Sequence, residues 1–137
     1  MELTIDYNEF KSEVNNFIKK GKEINLKNPT NQEELTQFLE EKKIWMTTCF
    51  NYLKTAFSGE DRDSFANSFL KSTGYNFGYT LPVSQQTKNS KADFTEKING
   101  LEYDLRMIAI SDIFTNPKLV LAENRRSWSV QQKKIFF

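Results

Sequence analysis

The chain has 137 residues, 38% of them hydrophobic and 14% aromatic, with 19 Lys/Arg against 18 Asp/Glu. That length fits one helical domain over residues 1–137, and such a domain buries roughly two thirds of its unfolded surface. The formal charge of +1 gives no general electrostatic case for a nucleic-acid, membrane or acidic-substrate partner, while one cysteine and no histidine exclude an internal disulfide, a thiolate metal cluster and any Ser–His or Cys–His nucleophile pair.

Charge is nevertheless uneven. Residues 1–70 carry nine Lys/Arg against twelve Asp/Glu and residues 71–137 carry ten against six, giving −3 and +4. The start, Met1-Glu2-Leu3-Thr4-Ile5-Asp6, lacks the basic lead and apolar run of a signal peptide. No window approaches about 18 uninterrupted apolar residues. A cytoplasmic protein without a membrane partner is the expectation.

Met1, Leu3 and Ile5 alternate with polar residues and read as a short strand or an extended lead-in. Asp6 with Glu9 is an N-terminal signal for a helix over Tyr7 to Lys20, with Tyr7, Phe10, Val14, Phe17 and Ile18 on one face and Gly21 as its left-handed exit. Ile24 and Leu26 are expected to fasten the connector that turns at Asn28-Pro29.

The stretch from Thr30 to Gly59 organises the rest. Leu35, Phe38, Leu39, Trp45, Met46, Cys49, Tyr52, Leu53, Ala56 and Phe57 step by threes and fours, the spacing of one helix side. Thr30-Asn31-Gln32-Glu33 reads as a capping box and Ser58-Gly59 as a stop. A helix of about 27 residues is about 40 Å long and needs partners along its whole length. With a short connector before it, the first two helices should form an antiparallel pair.

A third helix follows Gly59, with Phe65, Ala66, Phe69 and Leu70 as its stripe, and stops near Ser72-Thr73-Gly74. Tyr75, Phe77, Tyr79, Leu81 and Val83 then alternate with Asn76, Gly78, Thr80 and Pro82, the period of an extended segment with one aromatic face. Gly78 and Pro82 place it at an edge, or as a strap over the helices, rather than inside a sheet. It has three placements: paired with Met1–Ile5, lying across the helices, or added to a partner's sheet. Ser84 to Lys91 is polar and is expected to be a loop. Ser90-Lys91-Ala92-Asp93 reads as the cap of a fourth helix bearing Phe94, Ile98, Leu101, Leu105, Ile108 and Ala109, with Gly100 as a point of close helix approach. That helix should end before Asn116-Pro117, a good start for a fifth. The chain closes on Trp128, Val130 and Ile135-Phe136-Phe137.

Catalytic inventory is sparse. Gly74 and Gly78 have neither phosphate-loop spacing, and Asp61-Arg62-Asp63 lacks the rest of a calcium loop, so its charges are assigned to a helix start. Glu40-Glu41 and Glu102/Asp104 point in different directions on a helix and read as solvated faces. A carboxylate-only metal enzyme would have to draw on Glu40, Glu41, Glu102, Asp104 and Asp112. Cys49 lies on the apolar stripe without a basic neighbour, as a buried structural thiol. No catalytic residue, metal site or cofactor is expected.

The rhythm of Trp45, Cys49, Leu53, Phe57, Phe65 and Phe69, then a polar loop and a second long helix, resembles helical proteins encoded near bacterial anti-phage systems. No motif in it is specific, and no function follows from it.

The sequence thus points to an all-α fold, an antiparallel bundle of four to five helices crossed by one extended aromatic segment at about 75–83. The functional expectation is a non-enzymatic protein–protein interaction module, an adaptor, inhibitor or regulatory subunit of a bacterial or phage system, with self-association as a homodimer one form of it. Tyr75, Phe77, Tyr79, Leu81 and Trp128 are the candidate partner-binding residues. The alternative is a nucleic-acid binder using Arg125, Arg126, Lys133 and Lys134 around Trp128, where cations hold phosphates and aromatics stack bases.

Overall fold

The computed structural model describes residues 2–75 and 80–115, with side chains as far as Ala109. Four helices form an all-α bundle: α1 (Tyr7–Asn25), α2 (Gln32–Thr55), α3 (Ser64–Leu70) and α4 (Val83–Thr115). Two short strands, β1 (Glu2–Leu3) and β2 (Phe57–Ser58), pair antiparallel with Glu2 opposite Ser58 and Leu3 opposite Phe57. No helix among the described residues is long and apolar enough to cross a membrane.

The apolar stripes do what their spacing requires. Tyr7, Phe10, Val14 and Ile18 of α1 are buried, as are Leu35, Phe38, Trp45, Cys49 and Leu53 of α2 and Phe94, Ile98, Leu101, Leu105 and Ile108 of α4. α1 and α2 run antiparallel, since Phe10 stacks on Tyr52 towards one end and Lys27 meets Glu41 at the other. α4 is antiparallel to α1, with Asn25 Nδ2 donating to Thr95 Oγ1 at 3.1 Å and Lys22 paired to Glu102 at 3.0 Å. Trp45 sits where the elements meet. Its ring lies 4.7 Å from Phe94 of α4 and 5.6 Å from Phe69 of α3, and its Nε1 donates to the Phe17 carbonyl of α1 at 2.8 Å. A buried indole with its one donor satisfied is a rigid centre for packing.

Several local expectations are corrected by this packing. α1 does not leave at Gly21 but continues to Asn25, because Gly21 is where α1 crosses Trp45. A Cβ there would lie 2.7 Å from Trp45 Cζ2 and 3.2 Å from Ile98 Cγ1. Gly100, expected at a close helix approach, has nothing within 4 Å of an added Cβ. The close approach falls at Gly21 instead. Ile24 belongs to the helix and is buried, whereas Leu26 faces solvent. α2 begins at an Asn31 cap whose side chain accepts from Glu34 N at 2.8 Å, and Glu34 reaches back to Thr30 N at 3.1 Å, one residue later than the expected box. It ends at Thr55, before Ser58-Gly59, because Phe57-Ser58 is drawn into the ladder with β1.

The connector between α3 and α4 differs most. Residues 76–79 lie outside the described residues, and Val83, expected to close the extended run, opens α4 instead. β1 takes β2 as its partner. The polar stretch Ser84–Lys91, expected as a loop, is helical. Its first turn is fixed by Gln85 N and Gln86 N donating to the Pro82 carbonyl and by Gln86 Nε2 donating to Leu81 O at 2.7 Å, and Gln86, Thr87 and Ser90 are buried. The expected cap at Ser90-Lys91-Ala92-Asp93 therefore lies inside the helix, and its polar side chains turn inward.

Candidate functional site

Two regions of α2 depart from the usual rule that apolar residues go in and charges out. The first is a buried charge cluster against α4. Lys42 Nζ lies 2.7 Å from Asp93 Oδ2 and donates to Ser90 O at 3.1 Å and Ser90 Oγ at 3.2 Å. Asp93 Oδ1 accepts from the Thr73 hydroxyl and lies 3.7 Å from Lys97 Nζ, which also donates to the Lys71 carbonyl at 3.0 Å. The side chains of Lys42, Asp93 and Lys97 are 8%, 7% and 5% exposed. Burial by itself pushes the Asp93 carboxyl up, but hydrogen bonds from Lys42 and Thr73 and the charges of Lys42 and Lys97 outweigh it and hold it below its usual range. Burial lowers Lys42 despite the opposing pull of Asp93.

The three protons of the Lys42 ammonium meet three acceptors, so the group is tied down rather than offered to a substrate. The cluster also draws the connector after α3 onto α4 through Thr73 and Lys71. Its chemistry is that of a lock: each member depends on the others, because an unpaired buried charge is costly. The signal for it was present in the sequence. Lys42 falls in the same helical register as Leu35, Phe38, Trp45 and Cys49, so it occupies a core position on the stripe.

The second region is a groove of about 420 Å³ between α1 and α2. Phe17, Ile24, Ile44 and Trp45 line it with apolar surface, and Lys20, Glu23, Lys27 and Glu41 stand among them. Lys27 Nζ bonds both oxygens of Glu41 at 2.8 Å and closes one end. Ile44 is 59% exposed. Helix geometry explains the placement: two residues apart on α2, Lys42 and Ile44 point in nearly opposite directions, one into the α4 contact and one out along the groove.

The residues singled out from the sequence fare unevenly. Tyr75 is at the surface, where its hydroxyl donates to Glu96 Oε1 at 3.1 Å, and this bond raises its pKa. Leu81 is half-buried and its carbonyl is taken by Gln86. Both are engaged within the chain and lie away from the groove. Phe77, Tyr79, Trp128, Arg125, Arg126, Lys133 and Lys134 lie outside the described residues. Of the carboxylate pool, Glu41 pairs with Lys27 and Glu102 with Lys22, and among the described residues no three His, Cys, Asp or Glu side chains gather as metal ligands. Cys49 is fully buried, and burial pushes its thiol up to about 12. The groove went unread because its residues come from two helices and meet only in the folded chain.

No protein-family model matches the chain, and neither a curated protein nor a solved structure matches it.

Proposed function

We propose that this protein is a non-enzymatic protein–protein interaction module and that it binds through the α1–α2 groove. The observation that carries the reading is Ile44, an aliphatic side chain 59% exposed beside an apolar floor of Phe17, Ile24 and Trp45, at a groove that the described residues leave open. A contiguous apolar surface rimmed by charge is the usual anatomy of a protein contact. The side chains with the strongest chemical potential elsewhere support this assignment by being spent on structure: Lys42, Asp93 and Lys97 on one another, and Cys49 on packing.

The reading moves the interaction surface from the Tyr75–Val83 segment to the groove. A photo-crosslinking amino acid placed at Thr48, on the groove wall, tests it in the native host. The expected result is a crosslinked protein species that Ile44→Glu removes. A chain that crosslinks to nothing, whether its own copy or another protein, or equally well with Ile44→Glu, rules the groove out.

A further inference from the structure

We infer that the occupant of the α1–α2 groove is a second copy of this chain, docked about a two-fold axis that passes through the level of Ile44. This rests on the groove being the interaction surface, and it is carried by the groove's own charge pattern and the placement of its exposed aliphatic. The charged residues lining it are two of each sign, Lys20, Lys27, Glu23 and Glu41, so the rim has no net charge to select a strongly acidic or basic partner. Lys27 and Glu41 neutralise each other within the chain at 2.8 Å. That leaves Lys20 and Glu23, which among the described residues have no ion-pair partner. They stand one turn apart on the same edge of α1, with opposite signs.

A contact between identical surfaces requires that whatever residue i meets on the partner also meets i. Two α1 helices related by a two-fold axis between Lys20 and Glu23 are antiparallel, so Lys20 of each copy faces Glu23 of the other. Two ion pairs form from one pair of residues. The same axis runs through the middle of the groove. Trp45 reaches α1 at Phe17 and Gly21, while Glu41 reaches it at Lys27, so Ile44 lies between those levels, opposite the Lys20–Glu23 step. The axis thus sets Ile44 against Ile44 of the second copy and covers the most exposed apolar side chain of the groove. An unlike partner would have no need of this internal symmetry.

Sedimentation equilibrium of the full chain over a wide concentration range tests the assignment. Twice the chain mass is expected at high concentration. Ile44→Glu should weaken the dimer roughly 100-fold or more, since the substitution enters the interface twice. Lys20→Glu should weaken it about tenfold by setting like charges opposite one another. The decisive variant is Lys20→Glu with Glu23→Lys. In a two-fold contact the exchange regenerates both pairs, and dimerisation should return to near the original strength. Circular dichroism and melting temperature, matching the parent in all three variants at concentrations where every chain is monomeric, establish that they are folded.

A chain that is monomeric throughout overturns the second copy as occupant. Crosslinking at Thr48 then separates the two failures, because an Ile44-dependent crosslink to a different protein retains the groove as an interaction surface and no crosslink removes it. A dimer insensitive to Ile44→Glu, or a double exchange no better than Lys20→Glu alone, also overturns the proposed geometry.

Discussion

The two sides of α2 make opposite use of unlikely residues. Towards α4, Lys42 is 6% exposed and holds a buried carboxylate, whereas two positions later Ile44 is 59% exposed on the groove. Each placement is costly in isolation, and the costs differ in kind. A buried ammonium must be matched acceptor by acceptor or the fold loses stability, so its neighbours Asp93, Ser90 and Thr73 are fixed by it. An exposed isoleucine loses only the stabilisation that burial would have brought and leaves the fold intact. The first region is where the fold is vulnerable, and the second is where it tolerates change.

The largest expected effect breaks the polar side. Lys42→Met leaves Asp93, among the described residues, with the Thr73 hydroxyl and a Lys97 ammonium 3.7 Å away. Removing one partner of a buried pair costs about 3–5 kcal/mol. Urea titration should show that loss, and adding Asp93→Leu and Lys97→Met to the same chain should recover part of it, because no charge of the cluster is then left buried and unpaired. A triple variant no more stable than Lys42→Met alone would mean that the stranded charges are not the source of the loss.

Gly21 lies at the junction of the two regions, under Trp45. Gly21→Ala gains about 1 kcal/mol of helix propensity but drives a methyl into an indole anchored by its bond to Phe17. Overpacking of this kind costs about 1–3 kcal/mol, so the net change should be a lower melting temperature. Gly100→Ala is the control. With open space around the added methyl, it should stabilise by about 1 kcal/mol, a rise of about 3 °C. Were both variants to move in the same direction, the close approach at Gly21 would not be what sets the two sites apart.

Asp104 sharpens the comparison by pH. Burial pushes its carboxyl up to about 6, against an unfolded value near 3.8. The native state therefore holds this proton more tightly than the unfolded chain does, so stability falls as pH rises from about 4 through 6 and stays lower above. Asp104→Asn should raise the melting temperature at pH 7.5 by about 2–4 °C after allowing for partial solvation, and the gain should shrink as the pH approaches 4. Asp93, held below its usual range, has the opposite sign. Its contribution is present at neutral pH and is lost as pH falls through its lowered pKa.

The smallest expected effect on stability belongs to the groove. Ile44→Glu, measured by melting at concentrations where the chain is monomeric, should stay within about 0.5 kcal/mol of the parent. A loss comparable to that of Lys42→Met would show that Ile44 is part of the core after all.

Much of the fold was legible because helical periodicity is a property of the chain itself. The stripe from Leu35 to Leu53 and that from Phe94 to Ile108 are spaced to bury one side whatever covers them, and the all-α class follows. Polarity misled where burial is decided by a neighbour. Ser84–Lys91 reads as a loop because nothing in it is apolar, and it is helical because Gln86 and Ser90 find acceptors and donors within the fold. Gly21 reads as a helix exit and Gly100 as a close approach, and only the crossing of Trp45 shows that the close approach is at Gly21. Local spacing determined which faces the apolar-striped helices turn to the core. Tertiary contact alone decided that Lys42 and Asp93 close on each other while α1 and α2 leave Ile44 uncovered, because the cost of burying a charge depends on what lies opposite it.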